Sequence, residues 1–223
     1  MDASTEVSST VRPEAHYATT PAQTLDGRLS MLASRMTYVA LSFYFAAFYF
    51  AIIYLQLINE NGLWMAKGVH RPTLWFGIVE MGLILGAGIV YFWGQWYGVR
   101  ENKYGQLKIS LWIAAILGVI AVGFHIYELH APNYGGGGPG PGFLQSGGYA
   151  SVFTGVEGMY TLLLAVTVLG LIGMAIRASR GIFQRQEAGA ARINAFGEFW
   201  GWMSALALLN FLALYVQPFF PIR

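Results

Sequence analysis

Long uncharged stretches alternate with short charged ones along this chain. Five apolar stretches, two of them with a single charged residue, approach or exceed the roughly 20 residues that a helix needs to cross the hydrocarbon core of a bilayer. They predict membrane-spanning helices over residues 36–58, 72–99, 109–127, 149–176 and 199–217. The pattern therefore predicts an all-α, polytopic membrane domain over residues 36–223.

The first 35 residues differ from the rest of the chain. Residues 1–35 are rich in Ser, Thr, Ala and Pro and show no apolar periodicity. They also lack the short apolar core, followed by small residues, that is typical of a signal peptide. We expect a polar N-terminal tail that is poorly ordered in isolation.

Composition agrees with a membrane protein and excludes several classes of site. Charged residues make up 11% of the chain, whereas a soluble domain has about 25%. Cysteine is absent, which excludes disulfides and thiolate metal sites. The formal net charge is only +2, so nothing indicates a nucleic-acid partner.

Basic residues predict the orientation of the helices. Five spans place the tail and the loops at 100–108 and 177–192 on one side of the membrane. That side holds ten of the thirteen Lys and Arg residues, namely Arg12, Arg28, Arg35, Arg100, Lys103, Lys108, Arg177, Arg180, Arg185 and Arg192. Because Lys and Arg accumulate on the cytoplasmic side, we expect a cytoplasmic N-terminus and a C-terminus outside.

Two carboxyl groups interrupt the apolar spans. Glu80 lies eight residues beyond Pro72, and Glu157 lies eight residues beyond Tyr149. Both spans start on the same side, so a rise of about 1.5 Å per residue puts both carboxyls at a depth of about 12 Å. A charge at this depth is costly unless it faces protein or water. We therefore expect Glu80 and Glu157 to point inward at one level.

The surroundings of Glu157 leave two interpretations open. Thr154, Tyr160 and Thr161 lie three or four residues away on the same helix face and can supply hydrogen bonds. One interpretation is a hydrogen-bonded or protonated carboxyl that fixes helix packing. The other is a carboxyl used for lipid binding or proton handling.

Small residues predict a packing face on the second span. Gly82 and Gly86 lie four residues apart, a spacing that lets two helix backbones approach closely in a membrane. We therefore expect a neighbouring helix on this face.

The four histidines do not predict a haem site. Haem ligation inside a bundle requires imidazoles that face each other, but His16 lies in the tail, His70 in a loop, and His125 and His130 at the end of one span. One interpretation of the residues at the end of the third span is a metal site formed by His125, Glu128 and His130. The preferred interpretation is a cluster at this outer rim that hydrogen-bonds the loop backbone.

The order of these features resembles the haem-copper oxidase subunit III family, in its five-span bacterial form, over residues 34–215. In that family a carboxylate follows a Val or similar residue early in one helix, as Glu80 follows Val79. The third helix of such subunits often ends in an aromatic-Glu-x-His sequence before a Gly/Pro loop. The matching residues are Tyr127, Glu128 and His130.

Two further motifs of the family are altered in this chain. The next helix commonly carries Gly-x-His-Gly-x-His, and Glu157 and Tyr160 take the two histidine places. The last helix typically begins Trp-His-x-x-Asp, and the matching residues are Trp200, Gly201 and Ser204.

The resemblance implies a non-catalytic subunit of an aerobic terminal oxidase in the bacterial plasma membrane, and no enzyme by itself. Such a subunit packs against catalytic subunit I, which holds the haem and copper, and against other oxidase subunits. It stabilises that subunit, holds structural phospholipid between helices, and supports proton uptake and oxygen access. It binds no cofactor or metal itself and has no catalytic residue.

The predicted site residues fall into three groups. Glu80, Glu157 and Tyr160 form the buried polar, lipid-related or proton-related group. Tyr127, Glu128 and His130 order the outer rim, while Gly82 and Gly86 serve helix packing.

Two other functions remain open at this point. The first is an accessory subunit of a related respiratory complex, such as a nitric oxide reductase or a quinol-linked assembly. The second is a small proton-coupled carrier that uses Glu80 and Glu157. The carrier is disfavoured because the sequence shows no internal repeat and no pair of broken helices at matching positions.

Overall fold

The computed structural model describes residues 21–58, 64, 73–130, 147–185 and 188–217, and these residues contain helices and no strand. Five helices are long and apolar enough to cross a membrane, which indicates a multi-pass membrane protein. They are α1 Pro21–Leu57, α2 Leu74–Gln95, α3 Tyr104–His130, α4 Gly148–Ser179 and α5 Ala188–Asn210. Wide π-helical turns extend α2 over Trp96–Arg100 and α5 over Phe211–Val216. A single helical turn, Ile182–Arg185, precedes α5.

The predicted all-helical class and the number of spans are confirmed, but the helices extend beyond the predicted apolar stretches. The largest difference is in α1, which begins at Pro21. Residues 21–35 were expected to belong to the tail and are instead the first turns of this helix. Contrary to the expected lack of apolar periodicity, Leu25, Leu29 and Leu32 recur at helical spacing, and they are 53–56% exposed. Residues 1–20 lie outside the described part of the chain.

Successive helices run in opposite directions. The end of the bundle at which α1 begins is called the proximal end, and the end at which α1 finishes is called the distal end. Contacts of α4 with its neighbours show the alternation. His125 of α3 faces Glu157, and the Trp112 indole donates to Ser179 Oγ at 3.0 Å near the proximal end. Tyr160 donates to the carbonyl of Met203 on α5 at 3.1 Å.

The first helix lies at the edge of the bundle and runs parallel to α5. In its most apolar window 11% of the residues are buried, compared with 33–44% in the other four helices. Polar residues of α1 that are seven residues apart attach it to α5, where their partners are four, eight and seven residues apart. The pairs are Arg35 with Glu198, Ser42 with Trp202, Tyr49 with Asn210 and Gln56 with Gln217. A seven-residue repeat is the periodicity of two helices that stay in contact over several turns.

Close packing of α2 uses glycines other than those predicted. A Cβ at Gly77 would lie 2.7 Å from Tyr215 Cγ, and one at Gly88 would lie 3.0 Å from Ser204 Oγ. By contrast, a Cβ at Gly82 or Gly86 would meet no atom of the described residues within 4 Å. The expected helix neighbour at Gly82 and Gly86 is therefore not supplied by the described part of this chain. The two glycines lie on a different face from the buried ones.

The described Lys and Arg positions all lie in the proximal half of the bundle. They are Arg28, Arg35, Arg100, Lys103, Lys108, Arg177, Arg180, Arg185 and Arg192. Two of them reach across to acids, because Arg35 forms two hydrogen bonds with Glu198, at 2.8 and 2.9 Å, and Arg192 lies 2.5 Å from Asp26. The distal half holds the buried acids instead.

Candidate functional site

A cluster of ionisable side chains lies inside the distal half of the bundle. Glu80 comes from α2, His125 and Glu128 from α3, and Glu157 from α4, and each is at most 3% exposed. Tyr215, in the π turn that ends α5, joins them at 1% exposure. Four helices therefore contribute one polar side chain or more to a site that faces protein.

The imidazole of His125 lies between the two carboxyls. Its Nδ1 atom is 3.2 Å from Glu80 Oε1 and 3.3 Å from Glu157 Oε2. The two acids were expected at one depth, and the structure places both beside the same ring nitrogen. Each contact has ion-pair distance, but neither has the geometry of a hydrogen bond, since both oxygens lack a hydrogen-bond partner in the described structure.

Residues with unpaired polar atoms line a small cavity at this point. Glu80 Oε1, Glu157 Oε2 and His125 Nε2 are buried without a hydrogen-bond partner among the described residues. Glu80, His125, Glu157 and Tyr160 are among the residues that line a cavity of about 10 Å³. Unpaired buried polar atoms are uncommon in native proteins. A cavity of this size holds one water or one ion.

A second set of contacts joins the cluster to the last helix. The Tyr215 hydroxyl oxygen lies 2.7 Å from Glu128 Oε2 and 3.1 Å from Glu80 Oε2. A phenol has one proton, so it donates to one carboxylate and accepts from the other group. When both contacts are hydrogen bonds, at least one of the two carboxyls carries a proton. The network can therefore store a proton between α2, α3 and α5.

The hydroxyl groups predicted around Glu157 serve other partners. Thr161 donates to the backbone carbonyl of Glu157 at 2.6 Å, and Tyr160 donates to the carbonyl of Met203 at 3.1 Å. Thr154 Oγ1 has no partner among the described residues. The carboxyl of Glu157 thus faces His125, on the neighbouring helix, because a side chain at this position points away from α4 and into the bundle.

The three residues of the predicted rim are separated by burial. Tyr127 is 61% exposed and His130 is exposed, whereas Glu128 is 2% exposed. His130 Nδ1 contacts the carbonyl of Ile126 at 2.8 Å, within its own helix. The structure does not bring His125, Glu128 and His130 together as metal ligands, because His130 lies on another face of α3. His125, expected at the rim, is buried instead.

Sequence reasoning missed Tyr215, and it placed His125 at the rim beside His130 and not beside Glu80 and Glu157. A signal for His125 is present, since Ala114, Gly118, Ala121, His125 and Glu128 follow one another at intervals of three or four residues. Such spacing places all five on one helix face, and all five are buried. Tyr215 has no such signal, because the π turn that carries it changes the periodicity of α5.

The arrangement has the donor atoms of a metal site. One atom each from Glu80, His125 and Glu157 lie within 4.8 Å of one another, and all three residues are buried. Without a metal the same atoms can share protons. The site therefore has two chemical capacities, cation binding and proton storage.

An amphipathic groove lies at the proximal end, between α1, α4 and α5. Its volume is about 510 Å³. Apolar residues such as Leu163, Val166 and Phe199 line its body, and Arg177 and Arg192 lie at its basic end. The groove exists because α1 packs mainly on α5 and diverges from α4.

Compared with protein-family models and with curated proteins, the chain matches none of them.

Proposed function

We propose that this chain is a non-catalytic accessory subunit of an aerobic haem-copper terminal oxidase, as its resemblance to the subunit III family implies. It packs against catalytic subunit I, which holds the haem and copper, in a bacterial plasma membrane. Its roles are to stabilise that subunit, to hold structural phospholipid, and to support proton uptake and oxygen access.

One observation carries this proposal. Residues at three separate motif positions of the resemblance, Glu80, Glu128 and Glu157, come from three helices and meet in one buried cluster. Glu80 and Glu128 match the residue types of the family, whereas Glu157 takes a histidine place. Acids inside membrane helices face protein in any fold, so the specific support is that three motif positions of one family meet at one point.

The groove between α1, α4 and α5 supports the lipid-holding role. Acyl chains fit an apolar channel, and a phosphate headgroup fits a basic end. Arg177 is exposed at that end and Arg192 is half-buried. Hydroxyl groups of Ser30, Ser34 and Thr37 line the same groove. A phospholipid bound here would fill the space between α1 and α4.

The distribution of charge supports a cytoplasmic N-terminus. All described Lys and Arg positions lie in the proximal half of the bundle, and basic residues accumulate on the cytoplasmic side. The buried acids then lie nearer the outer side. This position suits a structural or proton-storing role better than the first entry of protons from the cytoplasm.

Affinity purification of the tagged chain from its native membrane tests the proposal. The expected co-purifying proteins are the subunits of a haem-copper oxidase, with haem and copper in those subunits. Absence of any oxidase subunit under mild detergent conditions contradicts the proposal. A haem absorption band from the chain purified alone contradicts it as well.

The same experiment separates the alternatives. Subunits of a nitric oxide reductase or of a quinol-linked complex would identify the chain as the accessory subunit of that assembly. A proton-coupled carrier predicts that the lone chain, reconstituted in liposomes, moves a solute in response to a pH gradient. That transport would be lost in Glu157→Gln.

A further inference from the structure

The cluster of Glu80, His125 and Glu157 has more buried acceptor capacity than its protein partners satisfy. Both carboxyls are almost wholly buried, and Glu80 Oε1 and Glu157 Oε2 point at one ring nitrogen without making a hydrogen bond. The cavity of about 10 Å³ next to them is lined by all three side chains. These atoms and this cavity indicate an occupant that takes up electron pairs from three atoms at once.

The distances fit direct coordination. Zinc lies about 2.0–2.2 Å from nitrogen and carboxylate oxygen ligands. With bonds of that length, the separations of 3.2 and 3.3 Å between His125 Nδ1 and the two oxygens correspond to angles of about 100° at the ion. Such angles lie between those of octahedral and tetrahedral geometry. The three donor atoms lie within 4.8 Å of one another. Two ligands of one ion are at most about 4.4 Å apart, so the two glutamates need to approach each other by no more than a few tenths of an ångström.

Charge balance favours the same occupant. Two ionised carboxylates buried beside a neutral imidazole carry a charge of −2, which is costly in a low-dielectric interior. A divalent cation neutralises this charge without any proton. None of the described Lys and Arg residues can do so, because their positions are confined to the proximal half of the bundle.

We propose that Glu80, His125 and Glu157 form a buried binding site for one divalent transition-metal ion. One carboxylate oxygen from each glutamate and one imidazole nitrogen are the protein ligands, and water in the cavity completes the coordination. The imidazole nitrogen favours zinc, and the two carboxylates also suit manganese, whereas magnesium and calcium prefer oxygen ligands alone. The site links α2, α3 and α4, and it does not rest on the proposed oxidase partnership.

The test uses the full-length chain in detergent, purified through an affinity tag that contains no histidine. The chain is stripped with a chelator, loaded separately with Zn²⁺ and Mn²⁺, desalted, and analysed for metal content per chain. About one ion per chain is expected for at least one of the two metals. His125→Gln and Glu157→Gln should raise the dissociation constant at least tenfold, because each removes one ligand atom.

Glu128→Gln is the matched control. Glu128 is buried on the same helix and contacts Tyr215, but it supplies none of the three proposed ligand atoms. Its substitution disturbs the network without removing a ligand, so metal content should stay near one ion per chain. A decrease equal to that of His125→Gln would show that general disruption, and not ligand loss, controls the metal content, and would overturn the proposal.

The wild-type protein decides the question even where a variant fails to fold. A content well below 0.1 ion per chain after loading with both metals overturns the site and leaves protons and water as the occupants. A bound ion should also raise the midpoint of thermal unfolding, and a chelator should reverse that increase. Binding should weaken as the pH falls, because the ligands bind metal only when deprotonated. None of these measurements depends on which subunits co-purify with the chain.

Discussion

The hydroxyl oxygen of Tyr215 lies 2.7 Å from Glu128 Oε2 and 3.1 Å from Glu80 Oε2, so one phenol joins carboxyls from two helices to the end of α5. Replacement by Phe keeps the ring and removes only this link. Buried polar atoms that lose a partner cost about 1–3 kcal/mol. Tyr215→Phe should therefore lower the midpoint of thermal unfolding, as measured on the detergent-solubilised chain.

The control for this substitution is Tyr127→Phe. Tyr127 precedes Glu128 on α3, but it is 61% exposed and points away from the cluster. Its substitution should leave the unfolding midpoint unchanged. Equal effects of the two variants would show that the buried contacts of Tyr215 add nothing to stability.

The contact between α3 and α4 depends on Gly118. A Cβ at this position would lie 2.7 Å from Val168 Cγ2, and overpacking of a well-packed interior costs about 1–3 kcal/mol. Gly118→Ala should destabilise the chain by this amount in a denaturant titration. Gly123→Ala on the same helix is the control, because no atom of the described residues lies within 4 Å of its Cβ position. A stable Gly118→Ala variant would show that the helices can separate at no cost.

Gly82 and Gly86 should matter only in an assembly. Neither position is filled by the described part of the chain, so Gly86→Leu should leave the thermal stability of the isolated chain unchanged. If a partner helix packs on this face, the same variant should reduce co-purification of that partner. Gly77→Leu is the contrasting variant, since it should destabilise the isolated chain through its contact with Tyr215. Destabilisation of the isolated chain by Gly86→Leu would contradict the description of this face.

The attachment of α1 depends on its polar contacts with α5. Tyr49 donates to Asn210 Oδ1 at 2.5 Å, and hydrogen bonds between membrane helices contribute about 0.6 kcal/mol on average, up to about 1.7. Tyr49→Phe should lower the free energy of unfolding by this amount. Tyr54→Phe should not, because Tyr54 is half exposed and stacks on Phe50 of its own helix. Identical unfolding curves for wild type and Tyr49→Phe would contradict a stabilising role for this contact.

The orientation in the membrane can be mapped with single cysteines, because the native chain has none. Lys103 lies between α2 and α3 at the proximal end, and His130 ends α3 at the distal end. In intact cells, an impermeant thiol reagent should label His130→Cys and spare Lys103→Cys until the membrane is opened. The cysteine-free parent is the background control. The reverse labelling pattern would place the N-terminus outside.

Hydropathy alone predicted the five spans. A helix that crosses a membrane can be recognised from the length of its apolar stretch, without knowledge of its tertiary contacts. The prediction failed at the start of α1, because the boundary was set where the charged residues end. Leu25, Leu29 and Leu32 recur at helical spacing between those charges, and the candidate span begins at Leu25.

The site was only partly predictable for a related reason. Depth along a helix follows from counting residues, which placed Glu80 and Glu157 at one level. Which face of a helix is buried depends on its neighbouring helices. The buried face of α2 was assigned from Gly82 and Gly86, which pack against nothing in the described structure. The line of small residues on α3 that ends in His125 and Glu128 was the better guide.

Because of the π turn at the end of α5, the number of residues before Tyr215 determines whether its hydroxyl reaches the buried acids. A wide turn holds an additional residue and rotates everything beyond it relative to a regular helix. Loss of a single residue from 211–214 would retain the Tyr215 phenol and rotate it around the helix axis by about 100°. A deletion that a sequence comparison would score as trivial would thereby disconnect the fifth helix from the acids.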